Sequence, residues 1–103
     1  MNKIEQIERF DKMVLQMRNV LFKKGDDYAN EDRLSNFKLA GAICGLNAEL
    51  NCLSLIATKV ARLGVLLKDK SKKPSNESVM DSVMDLANYA LLLDMIIYEQ
   101  ETT

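Results

Sequence analysis

The sequence predicts an all-α protein: three long helices plus a short helix, one domain over residues 1–103, assembled as an oligomeric helical bundle. Three observations carry that expectation. Only four glycines and one proline occur in 103 residues, and a chain with so few helix breakers favours long helices over turns. Apolar residues recur at intervals of three and four along three separate stretches, the period of a helix with one face in a core. The middle stretch is apolar nearly all round, more than a small domain covers from within, so self-association is expected.

The first helix is expected from Asn2 to Lys24, with Ile4, Ile7, Phe10, Met13, Val14, Met17, Val20 and Leu21 on one stripe. Glu5, Glu8, Lys12, Gln16 and Arg18 form its wet face. Lys23 and Lys24 suit the negative end of the helix dipole, and Gly25 supplies a left-handed C-cap. A polar stretch follows, in which Asp26 and Asp27 begin a turn and residues 31–40 form the short helix, with Leu34, Phe37 and Leu39 turned inward. A segment this rich in Asp, Asn and Tyr is either a binding loop or a plain polar connection.

Gly41 and Gly45 bracket an apolar link, and Asn47 is the N-cap of the second long helix, Ala48 to Lys68. Lys59 and Arg62 stand three apart in its apolar middle, where a charge has to meet a carboxylate, a phosphate or water. Residues 69–76 make a basic, proline-marked loop, a solvated lip in the plain reading and a phosphate-attracting one in the sharper. Ser75 or Asn76 caps the last helix, expected over Glu77–Tyr98, before a frayed polar tail from Glu99 to Thr103.

A net charge of −1 and a pI near 5.4 give no general attraction to nucleic acid, so no DNA or RNA polymer is expected as partner. Histidine is absent, which removes the commonest general base and metal ligand. Cys44 and Cys52 form neither a zinc pattern nor a disulfide framework and read as buried thiols of a cytoplasmic protein. The charged N-terminal stretch has no secretory core, and no unbroken apolar run of about 18 residues is present to span a membrane.

The last helix carries a second message beside its apolar stripe. Glu77, Asp81 and Asp85 are spaced by four, and with Asn88 they fall within an arc of roughly 80°. Carboxylates at that spacing repel by a few tenths of a kcal/mol per pair, which points to a cation opposite them. Lys59 and Arg62 of the neighbouring helix are one answer, through a salt bridge to Asp81 or Asp85. A divalent ion such as Mg²⁺, which takes oxygen ligands and keeps waters for a phosphate to replace, is the other. A solvated acidic face near a helix start is the third.

Four motifs in order carry a resemblance: Lys24-Gly-Asp-Asp-Tyr28, Ser35-Asn-Phe-Lys38, Lys59-Val-Ala-Arg-Leu63, and the run from Glu77 through Asp81, Asp85 and Asn88 to Tyr89. Together, over about residues 20 to 95, they resemble the nucleotide modification associated domain 1 family of small, mostly phage-encoded helical proteins. That resemblance implies a phage or prophage origin and an association with nucleotides, without a defined reaction. The chain is also loosely similar to the MazG-type all-alpha nucleotide pyrophosphohydrolases, which hold Mg²⁺ with paired acids, ExxE followed by ExxD, on successive helices. Here Glu77, Asp81 and Asp85 are spaced by four, and the second helix offers only Glu49, with Cys52 where a second acid belongs. Half of that metal cage is missing.

Two functions follow as expectations. In the first, the oligomer binds a nucleotide-type small molecule: Lys24, Lys59 and Arg62 hold phosphate, Tyr28 or Phe37 stacks on the base, and Asp27, Asn36 and Asn88 read polar edges, with Tyr89 beside them. In a phage this would sequester a host immune signalling nucleotide. In the second, Glu77, Asp81, Asp85 and Glu49 hold Mg²⁺ for hydrolysis of a nucleoside phosphate, and Lys59 or Arg62 stabilises its charge. No catalytic residue is assigned.

Overall fold

The computed structural model describes the backbone of residues 1–28, 31–68 and 76–102, and the side chains of residues 1–23, 31–68 and 79–102. Four helices make up the fold: α1 (Lys3–Tyr28), α2 (Ser35–Cys44), α3 (Ala48–Lys68) and α4 (Asn76–Thr102). No strand occurs among the described residues, so the all-α expectation holds. The chain divides into two compact units, Met1–Arg33 and Leu34–Thr103.

The first unit is built on α1. The Glu5 amide donates to Asn2 Oδ1 at 2.9 Å and the Asn2 amide donates back to Glu5 Oε2 at 3.3 Å, a capping box that fixes the helix start. Arg18 lies over the Phe22 ring at 5.7 Å, one turn along the same face. The helix does not stop at Gly25. It continues to Tyr28, because an internal glycine costs a helix only about 1 kcal/mol relative to alanine and an intact backbone ladder absorbs that.

The second unit packs α3 antiparallel to α4, with α2 across one end. Direction follows from the cross-bonds: the α4 partner moves from Gln100 to Tyr89 to Asp85 as the α3 residue advances from Glu49 to Cys52 to Lys59. The core gathers Leu34, Phe37, Ala48, Cys52 and Ile96, flanked by Leu55, Ile56, Tyr89, Leu92 and Leu93. Phe37 and Tyr89 meet edge to face, ring centres 6.5 Å apart. The Asn51 side chain donates to Phe37 O at 3.2 Å, pinning α2 to α3.

The α2–α3 corner corrects one expectation and explains two glycines. Gly41 and Gly45 do not bracket a link: Gly41 lies buried inside α2 and Gly45 ends that helix. Gly45 adopts φ 72°, and the amides of Gly45 and Leu46 donate to Ala42 O and Gly41 O at 3.3 and 2.7 Å. This is the left-handed cap that satisfies the last helical carbonyls. A Cβ on Gly41 would sit 2.7 Å from Leu46 O, so the chain can fold back only over a glycine. Asn47 then caps α3 as expected, accepting the Leu50 amide at 2.8 Å.

Other boundaries move. The short helix is Ser35–Cys44 rather than residues 31–40, which turns Leu39 outward. The last helix runs on through Thr102, where a frayed tail was expected. Cys44 is exposed while Cys52 is buried, so the pair is not two core thiols. By length and composition α3 is long and apolar enough to cross a membrane. A search for an unbroken apolar run passes over it because Lys59 and Arg62 interrupt its middle.

Candidate functional site

Helical spacing places the site on the facing sides of α3 and α4. Lys59, mid-way along α3, reaches Asp85 of α4 at 3.0 Å, each side chain about one-fifth exposed. The expected salt bridge is therefore present, with Asp85 rather than the exposed Asp81. An ion pair so shielded is held by its mutual attraction, since either partner alone would pay a desolvation cost.

Asn88 lies one turn beyond Asp85 on the same helix, and so on the same face. It is 5% exposed. Neither its Oδ1 nor its Nδ2 has a hydrogen-bond partner. Buried carboxamides are nearly always bonded, because an unpaired one forfeits its hydration for nothing. Met84, also buried, stands one turn before it. Arg62, exposed, stands one turn beyond Lys59 on α3. The arrangement thus sets a cation–carboxylate pair and an unsatisfied carboxamide along one seam, with the exposed Arg62 a turn further along α3. Such a set can grip an anion through Lys59 and Arg62 while Asn88 offers one acceptor and two donors.

Other predicted residues fall elsewhere. Phe37 is 5% exposed and its ring packs against Tyr89, so it has no free face for a base. Tyr89 is half-buried beside it, and its carbonyl accepts the Cys52 thiol at 3.3 Å. Asn36 is exposed on the first turn of α2. Glu49 accepts a hydrogen bond from Gln100, fifteen residues past Asp85, or roughly 22 Å further along α4 at 1.5 Å per residue. The structure therefore does not bring Glu49 together with Asp81 and Asp85. Lys24, Asp27, Tyr28 and Glu77 lie outside the residues whose side chains are described.

No group of three His, Cys, Asp or Glu side chains among the described residues is placed to hold a metal. Asp85 is engaged by Lys59 and Asp81 points to solvent, so these two acids do not themselves compose a Mg²⁺ cage. Ser82, 2% exposed on α4, is a buried polar residue that the sequence pattern marks only faintly. Its one signal is a small polar residue inside the run Val79–Met84, where apolar side chains were the pattern.

Burial also sets the state of the one core thiol. Cys52 is fully buried and desolvation pushes its pKa up from 9.0 to about 11, so it stays a protonated donor to Tyr89 and no nucleophile. Fold and seam together define a small all-α protein with a polar, partly shielded helix–helix site. Compared with known protein families, characterised proteins and solved structures, the chain matches none.

Proposed function

We propose that this chain binds a nucleotide or nucleotide-derived molecule at the α3–α4 seam without transforming it. The observation that supports this most is Asn88: a carboxamide shut from water, unsatisfied at both polar atoms, one turn from the Lys59–Asp85 pair. Polar groups left unpaired in a native interior call for an explanation, and a bound polar molecule supplies one. In this reading Lys59, freed in part from Asp85, and Arg62 take the phosphate, and Asn88 reads an edge of the base or sugar. Hydrogen bonds to a buried amide discriminate strongly, because a wrong ligand leaves the amide unpaired. If the chain is phage-encoded, as the resemblance implies, retention of a host signalling nucleotide is the corresponding role.

The test is isothermal titration with nucleoside triphosphates, cyclic dinucleotides and ADP-ribose-type compounds, with and without Mg²⁺, followed by chromatography of each mixture. Tight binding with the ligand recovered intact is expected. Cleavage only with Mg²⁺ would move the assignment to hydrolysis, with ligands recruited beyond Asp81 and Asp85. Lys59→Ala and Arg62→Ala are each expected to weaken a phosphate-bearing ligand by about 1.5–3 kcal/mol, the range for charge-assisted hydrogen bonds. Variants that lose thermal stability and keep full affinity would reduce Lys59–Asp85 to a structural ion pair.

A further inference from the structure

We infer that the outer face of α3 is the seam of an antiparallel pair formed with α3 of a second copy of this chain. Leu50, Leu53, Ala57, Val60, Gly64 and Leu67 follow one another at steps of three, four, three, four and three. All six are exposed, the four large ones about half or more. That alternation is the repeat of a coiled-coil seam, about 3.5 residues per turn, in which each side chain enters a hole between four of the facing helix. The α3 residues turned towards α4, Cys52, Lys59 and Leu63, lie on a separate face roughly 120° round the helix.

The identity of the occupant follows from how large and small residues alternate. In an antiparallel pair each first-type seam position meets a second-type one. Leu53 then faces the second copy's Gly64, Ala57 faces its Val60, and Leu50 faces its Leu67. Every small residue receives a large one, as a dense interface needs. A parallel pair would set Gly64 on Gly64 and Ala57 on Ala57, leaving gaps in two layers. No packing contact among the described residues requires a glycine at position 64, since a Cβ there would meet nothing within 4 Å. A socket for a leucine from another copy does.

An antiparallel pair also opposes the two helix dipoles, which a parallel pair would align.

Sedimentation of the full chain is expected to give a dimer or an even multiple. Val60→Glu, at an exposed position, is expected to weaken association at least tenfold while circular dichroism keeps the helix content. Orientation is read from Leu53→Cys and Gly64→Cys chains, each also carrying Cys44→Ser, mixed under mild oxidation. The mixed disulfide should form and neither chain should cross-link to itself. A wild-type monomer, a Val60→Glu chain of unchanged assembly, or a Gly64→Cys self-disulfide overturns the inference. So does transfer of the wild-type chain onto phosphatidylcholine vesicles with loss of the cross-link, the result if lipid covers this face. Should Val60→Glu lose its helices, the cross-linking pattern decides alone.

Discussion

A carboxamide closed off from water with neither polar atom bonded costs a fold on the order of 1–3 kcal/mol, and Asn88 sits in that position within α4. Replacing it by the similarly shaped Asn88→Leu is therefore expected to stabilise the chain by about 1 kcal/mol or more, read as a higher urea midpoint, and to abolish nucleotide binding in the same preparation. Residues that lower stability where they stand are often those that function requires. A destabilised Asn88→Leu chain would mean that the amide is satisfied within the fold. Cys52 gives a second prediction, with its sign set by burial. Its folded pKa of about 11 lies above the ordinary 9.0, so the native state holds a proton that the unfolded chain releases. The resulting stability is complete below about pH 9 and is lost as pH rises through 11, roughly 2–3 kcal/mol in all. Thiol reagents at pH 8 should label the exposed Cys44 and spare Cys52.

At the scale of elements, the α2–α3 corner leaves no room for a side chain on Gly41. Gly41→Ala drives a Cβ to 2.7 Å from Leu46 O and 3.2 Å from Asn47 O, both rigid backbone. A loss of about 1–3 kcal/mol in chemical denaturation is expected, the usual cost of overpacking. Gly45→Ala meets no atom within 4 Å but keeps φ at 72°, and should cost about 1–2 kcal/mol from left-handed strain alone. The same elements show what the residues reveal in advance. The bounds of α3 were legible because Asn47 is a strong cap and apolar spacing runs unbroken to Lys68; the carboxylate partner of Lys59 was legible because a charge amid apolar residues demands one. The passage of α1 through Gly25 was not, since a glycine marks both helix ends and tolerated interior positions. Phe37 read as a stacking platform for the same local reason, its burial depending on Tyr89, fifty-two residues away. The distance of Glu49 from Asp85 likewise depends on the antiparallel register of α3 and α4, which no local pattern encodes.

For the molecule as a whole, the residues of the main core, from Leu34 to Ile96, all belong to the unit Leu34–Thr103. A fragment of that span is expected to stay helical and to unfold in a single cooperative transition, checked by circular dichroism against urea. Multiphasic melting of the fragment would show that its core needs residues 1–33. Within this unit three cross-ties cluster at one end, where Lys38 bonds Glu99 at 2.6 Å, Glu49 accepts from Gln100 and Phe37 packs on Tyr89, while Lys59–Asp85 ties the other half. Local opening follows the density of such contacts, so amide hydrogen exchange should be slowest from about Tyr89 to Gln100 and quicken toward Val79. The turn bearing Asp85 and Asn88 lies at the margin of the slow region. Were that half of the helix pair to part briefly while the other stayed shut, a solute would have a way in and out without global unfolding.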